Sequence, residues 1–157
     1  MNPLDQIRAA EGWLELGNLS EAAKELHDLP PEAKSSVECL HVWVRIFSAQ
    51  KAWDSVELTT DTLLKHDPDD PVALFHRAEA LHKQKKSADA VLLIGQTKYG
   101  RTTAEGLYNL ARYLCGNGQR DDAFHILGLA FGKDKKLRER ALEDPELKQV
   151  WVKFHKG

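Results

Sequence analysis

The feature of this 157-residue chain that most constrains its fold is a pattern that returns every 33 or 34 residues. Segments spaced by 34, 34 and 33 residues can be aligned from Pro3, Val37, Pro71 and Ala104. Their eighth positions hold compact residues, namely Ala10, Val44, Ala78 and Ala111. Their twentieth positions do the same, with Ala22, Val56, Ala90 and Ala123. Their eleventh positions hold large apolar residues, namely Trp13, Phe47, Leu81 and Leu114. Such columns predict repeated units in which two helices cross closely.

The apolar spacing within each unit is that of a helix with one buried face. In the first unit, for example, apolar residues recur three and four apart at Leu4, Ile7, Ala10, Trp13 and Leu14. The hairpin dipeptide Asp-Gly does not occur, Asn-Gly occurs once at Asn117–Gly118, and the breaks between helical segments are short. The sequence therefore predicts an all-α protein whose successive helices pack as antiparallel neighbours.

A period of 34 residues with two helices per unit resembles the tetratricopeptide repeat family, from about residue 3 to residue 137. The resemblance implies a single domain over 1–157, a right-handed α-solenoid of about four helix pairs. The pairs would span about 3–36, 37–70, 71–103 and 104–137, with C-terminal capping helices over 138–157. Two departures stand out: the usual turn glycine is present as Gly17 and Gly118, but Lys51 and Lys85 replace it in the middle units.

The stretch His66–Pro71 concentrates three aspartates between a histidine and a proline, which raises the question of a metal-binding loop. A calcium loop of the EF-hand type needs a glycine at its sixth position and a glutamate at its twelfth, and neither is present. We interpret the stretch as a joint between two helices. Asp67 and Pro68 end one helix, Pro71 begins the next, and Asp69 and Asp70 accept hydrogen bonds from its free amides.

The resemblance also implies a concave groove lined by the first helix of each pair, as in peptide-binding members of the family. The groove residues that it selects here are His41, Arg45, Phe75, His76, Glu79, His82, Tyr108, Asn109 and Arg112. Aromatic and arginine side chains are frequent anchors of bound peptides. Two interpretations of Arg45, Glu79 and Arg112 remain open: a ladder of ion pairs, or one guanidinium free for a partner's carboxylate.

The C-terminal segment is predicted to hold a helix that ends near Glu143 and a short helix that opens at Asp144–Pro145. Apolar residues on these helices would cover the exposed flank of the last repeat. Alternatively, Trp151 and Phe154 form a docking or dimerisation patch.

No catalytic or cofactor-binding motif is present, so we expect no catalytic residues, no cofactor and no metal. The two cysteines, Cys39 and Cys115, form no CxxC pair and are expected to be buried or half-buried thiols. Cys39 and His41 point apart on one helix. Histidines of adjacent repeats, such as His41 and His76, could still converge on a metal.

A formal charge of −2, from 22 basic and 24 acidic side chains, gives no concentrated basic field for nucleic acid or a membrane surface. The basic run Lys135–Arg140 is interpreted as a solvated face. No secretory signal or membrane span is visible, so we expect a cytoplasmic protein. These features favour a non-enzymatic adaptor that binds a protein or peptide in the groove. The alternatives are a self-associating homo-oligomer and a small chaperone of the secretion type.

Overall fold

The computed structural model describes residues 1–152, and all regular structure in this range is helical. Within these residues twelve α-helices follow one another: α1 (Pro3–Glu15), α2 (Leu19–His27), α3 (Pro31–Lys34), α4 (Val37–Ala49), α5 (Trp53–His66), α6 (Pro71–Lys83), α7 (Ser87–Gly95), α8 (Lys98–Thr102), α9 (Ala104–Gly116), α10 (Arg120–Lys133), α11 (Leu137–Glu143) and α12 (Lys148–Val152). A 3₁₀-helix, Pro145–Leu147, lies between α11 and α12. The predicted all-α class is confirmed for the described residues.

The chain divides into two compact units, residues 1–76 and the residues from Arg77 onward. In the first unit α1 packs on α2, α4 packs on α5, and α1 also contacts α4. Its core contains Ile7, Leu26, Val42 and Ile46, none more than 4% exposed. In the second unit α9 is central, because it contacts α7, α8, α10 and the 3₁₀-helix.

The four predicted first helices begin at the residues that the alignment selects, namely Pro3, Val37, Pro71 and Ala104. Each ends in the same turn, and the four turns centre on residues with left-handed backbone: φ is 78° at Gly17, 56° at Lys51, 64° at Lys85 and 78° at Gly118. In each turn this residue's amide bonds the carbonyl three residues back, and the next amide bonds the carbonyl five back. This pair of bonds is the Schellman motif. The repeat of the sequence is therefore a repeat of local structure.

Lys51→Gly and Lys85→Gly are each expected to raise the free energy of unfolding by about 0.5–1 kcal/mol, because glycine adopts positive φ without the steric cost that a side chain carries. The same exchange inside a helix, Lys24→Gly in α2, is expected to lower it by about 1 kcal/mol. Urea unfolding of the three variants and the wild type measures both effects. A loss of stability at Lys51 and Lys85 equal to that at Lys24 would contradict the left-handed turns.

The joint at residues 67–70 has the predicted form. Helix α5 ends at His66 and α6 begins at Pro71. Asp70 Oδ1 accepts hydrogen bonds from the amides of Val72 (3.0 Å) and Ala73 (3.2 Å). Asp67 Oδ1 accepts one from the amide of Asp69, at 3.0 Å. The acidic stretch thus ends one helix and caps the next.

The second half of the third repeat holds two helices, α7 and α8, with a short interruption between them. The hydroxyl of Thr97 accepts a hydrogen bond from the amide of Gly100, which starts α8. A Cβ atom at Gly100 would lie 2.0 Å from the carbonyl oxygen of Ile94, and one at Gly106 would lie 1.9 Å from that of Tyr99. Both glycines therefore allow α8 to pack closely against the end of α7 and the start of α9.

Candidate binding surfaces

Four of the predicted groove residues lie in the first unit, on α4 and the start of α6: His41, Arg45, Phe75 and His76. All four are half-buried. His41 Nε2 is 2.6 Å from Asp70 Oδ2, so the aspartate that caps α6 also positions this imidazole.

The second link between α4 and α6 in this unit is a hydrogen bond between Ser48 Oγ and His76 Nδ1, 2.9 Å long. The rings of His76 and Phe75 meet edge to face, with centroids 5.0 Å apart. On α4, Arg45 lies four residues after His41 and three before Ser48, so the three side chains share one helix face. The first unit therefore presents imidazole, guanidinium and aromatic groups on one partly exposed surface. We call it the α4/α6 surface, and it consists of His41, Arg45, Phe75 and His76.

The other five predicted groove residues lie in the second unit and belong to one buried polar network centred on Arg112. The Arg112 guanidinium forms ion pairs with both Glu79 and Glu146. Its Nε donates to Glu146 Oε2 at 2.8 Å, and its NH1 donates to Asn109 Oδ1 at 2.9 Å. One arginine thus joins α6, α9 and the 3₁₀-helix.

Tyrosines complete the network around Arg112. The Tyr113 hydroxyl donates to Glu79 Oε1 at 2.9 Å, and Asn109 Nδ2 donates to the Tyr99 hydroxyl at 3.1 Å. Among the described residues, no buried side-chain nitrogen or oxygen lacks a hydrogen-bond partner. Complete satisfaction of this kind offsets the cost of burying charges.

The carboxylate of Asp144 makes a second contact between the C-terminal segment and α9. The Tyr108 hydroxyl donates to Asp144 Oδ2 at 2.7 Å, while Asp144 Oδ1 accepts from the amide of Glu146 at 3.0 Å. The guanidinium of Arg140 lies 4.4 Å from the centroid of the Tyr108 ring and also pairs with Glu105. Tyr108 is completely buried.

The electrostatics of the network follow from burial and from these pairings. A hydrogen bond with His82 lowers the pKa of Glu146 to about 2, against the opposing effect of burial and with further help from Arg112. Burial lowers the pKa of Arg112, but its bonds with Glu79 and Glu146 outweigh this and leave the pKa above its ordinary value. Burial and the nearby Glu79 carboxylate raise the pKa of Tyr113. The arginine and Glu146 are therefore held in their charged forms.

The burial of Tyr108, Asn109 and Arg112 corrects the expectation that these residues line an open groove. They are 0%, 2% and 8% exposed. Asp144 bonds Tyr108, Glu146 bonds Arg112, and Asn109 bonds Tyr99 and Arg112. Arg112 is accordingly paired rather than free for a partner. Asp144 and Glu146, which pair with it, were not among the predicted site residues.

A relay of hydrogen bonds from Ser87 through His82 to Glu146 resembles the serine–histidine–acid arrangement of hydrolases. Ser87 Oγ lies 2.9 Å from His82 Nδ1, and His82 Nε2 bonds Glu146 Oε1. Ser87 is 9% exposed, however, and a Cβ atom at Gly116 would lie 3.0 Å from its hydroxyl. Gly116 of α9 therefore approaches Ser87 closely, with no side chain between them. The relay holds the start of α7 to the end of α6.

Histidines do not converge on a metal in the part of the chain that the structure describes, where no group of three or more His, Cys, Asp or Glu side chains is arranged to hold one. His41 and His76 contact Asp70 and Ser48 instead. Cys39 and Cys115 are buried free thiols, as expected, and burial raises the pKa of each.

The predicted docking patch at the C-terminus is only partly described, because Phe154 lies outside the described residues. Trp151 is half-buried, and its Nε1 donates to the carbonyl of Ala141 at 3.1 Å. It lines a cavity of about 350 Å³ together with Pro145 and Leu142, and Leu142 is 66% exposed.

No protein-family model matches this chain, and comparisons with curated proteins and with solved structures find no similar protein. No helix among residues 1–152 is both long and apolar enough to cross a membrane.

Proposed function

We propose that the protein is a non-enzymatic adaptor of the tetratricopeptide repeat type, which binds a segment of a partner protein on the first helices of its repeats. The observation that carries the proposal is the α4/α6 surface, where His41, Arg45, Phe75 and His76 are all half-buried. Hydrogen bonds hold the two histidines, and a ring contact with His76 holds Phe75. The recurring turn at Gly17, Lys51, Lys85 and Gly118 supports the repeat assignment.

The chemistry of this surface suits a peptide ligand. Arg45 offers a guanidinium for a carboxylate or a backbone carbonyl, and Phe75 offers a flat apolar face. The contact between Ser48 and His76 and the contact between His41 and Asp70 fix the imidazoles before a ligand arrives. A surface that is ordered in advance loses little conformational entropy on binding.

The double substitution Arg45→Glu with Phe75→Ala is expected to weaken peptide binding at least about ten-fold, because anchors of this kind contribute about 2 kcal/mol each. Peptides would first be selected from a displayed random library on the immobilised full chain. Titration calorimetry of the selected peptides then compares wild type with the variant, and thermal melting shows whether the fold is kept.

The matched control is Leu58→Ala with Lys65→Glu, a loss of one apolar side chain and one charge reversal on the exposed part of α5. This variant is expected to bind like the wild type. If the folded Arg45/Phe75 variant also binds like the wild type, the α4/α6 surface is not the binding site. If no peptide is selected by the wild type, the proposed function itself is wrong.

A further inference from the structure

The second unit carries at its centre a short acidic segment, Asp144–Leu147, which contacts α9 as a bound peptide would. Asp144 accepts from the hydroxyl of Tyr108, and Glu146 pairs with Arg112 and His82. Leu147 is completely buried. Two carboxylates and one apolar side chain, within four residues, thus account for the contact.

The residues that receive this segment lie on two helices, α6 and α9. Tyr108 and Arg112 stand one helical turn apart on α9, and His82 stands at the end of α6. Their groups that bond the segment are a hydroxyl, a guanidinium and an imidazole. Together they form a site that selects carboxylates by charge-assisted hydrogen bonds.

The order of the C-terminal segment depends on these contacts. Helix α11 has seven residues, the 3₁₀-helix three and α12 five, and helices this short are not stable alone in water. Their order must come from packing on α9 and α10 and from the two carboxylates. Segments of this kind open at lower free-energy cost than a core helix does.

We propose that Asp144–Leu147 is a built-in ligand that closes a binding site for acidic peptides on α9, and that a partner protein's segment of the pattern Asp-x-Glu-Leu takes its place. This inference rests on the proposed function, since it adds the ligand class and the regulation of a second peptide site in the same repeats. A tethered segment acts at an effective concentration in the millimolar range. A partner present at a lower concentration must therefore have a lower Kd for the vacated site than the segment has.

The probe is a fluorescein-labelled peptide that copies residues 141–152, titrated against the full chain and followed by fluorescence anisotropy. The full-chain variant Asp144→Asn with Glu146→Gln, whose own segment is weakened, is expected to bind this peptide at least ten-fold more tightly than the wild type does. A second labelled peptide carries amides in place of the carboxylates that correspond to Asp144 and Glu146. It is expected to bind this variant at least ten-fold more weakly than the first peptide does.

The matched control is Glu139→Gln with Glu143→Gln, which removes two exposed carboxylates from α11 and leaves Asp144 and Glu146 unchanged. It is expected to bind the peptide as weakly as the wild type. Equal affinity of all three proteins for the peptide would overturn the proposal, as would a folded Asp144/Glu146 variant that binds no peptide.

Hydrogen exchange on the wild-type chain provides a test that does not depend on a variant. Unlabelled acidic peptide at millimolar concentration is expected to speed exchange in residues 144–152 and to leave α9 protected. Unchanged exchange would overturn displacement. Light scattering separates another occupant: dimers that the free peptide dissociates would show that a second copy supplies the segment, which contradicts a separate partner.

The two proposals can fail separately. Ligands that depend on Arg45 and Phe75, without binding of the acidic peptide, would leave the proposed function standing and remove this inference. If neither the selected peptides nor the acidic peptide binds, both proposals are wrong.

Discussion

Replacing Arg112 with methionine is expected to reduce the free energy of unfolding by about 3–5 kcal/mol, the usual result of removing one partner from a buried ion pair. The substitution would leave Glu79 and Glu146 close together, with side chains only 14% and 30% exposed and without their common cation. It would also remove the donor to Asn109. Urea unfolding followed by far-UV circular dichroism measures the loss.

Arg140→Met is the control for Arg112. Its guanidinium also pairs with a glutamate of α9, but the side chains of Arg140 and Glu105 are 51% and 55% exposed. A pair in water contributes at most about 1 kcal/mol, so this substitution is expected to have a small effect on the free energy of unfolding.

Combining Arg112→Met with Glu146→Gln should lower the free energy of unfolding by less than the sum of the two single effects, because the double variant no longer buries the unpaired Glu146 charge. A loss below about 1 kcal/mol for Arg112→Met would show that the network does not hold the second unit together.

The repeat period could be predicted from the sequence because it depends on short-range patterns. Apolar spacing and prolines located the starts of the first helices at Pro3, Val37, Pro71 and Ala104. Even the two turns without glycine take the common form, since Lys51 and Lys85 adopt the backbone that glycine favours. Local hydrogen bonds therefore outweigh the preference of lysine in these turns.

The pairing of Arg112 with Glu79 was one of the two interpretations that the sequence left open, but its pairing with Glu146 could not be predicted in the same way, because Glu146 is 34 residues away on a segment outside the repeats. Periodicity identifies the face of α9 that carries Tyr108 and Arg112, but it does not identify what covers that face. Glu146 lies on a segment rich in charged residues, where a carboxylate is normally solvated. The available signal was the apolar spacing of Leu147 and Val150, which are both buried and hold the acidic residues against α9.

Acid is expected to destabilise the second unit through Glu146. Its pKa of about 2 in the folded protein lies below the ordinary value of 4.5, first because of the bond with His82 and then because of Arg112. A group with a lowered pKa stabilises the fold fully above the unfolded value and loses this contribution as the pH falls through the folded value. The window therefore runs from pH 4.5 down to about 2, and the contribution is of the order of 3 kcal/mol.

Glu146→Gln tests this window, because glutamine has no charge to lose. At pH 5 the variant should be less stable than the wild type by up to about 3 kcal/mol, and the difference should shrink steadily as the pH approaches 2. Urea unfolding at intervals of half a pH unit measures both curves. The control is Glu105→Gln, which removes a carboxylate from an exposed ion pair. Its curve of unfolding free energy against pH should run nearly parallel to that of the wild type. A constant gap between wild type and Glu146→Gln over this range would mean that the Glu146 carboxylate contributes by packing alone. Convergence would place its ion pairs among the main contacts that hold the C-terminal segment on α9.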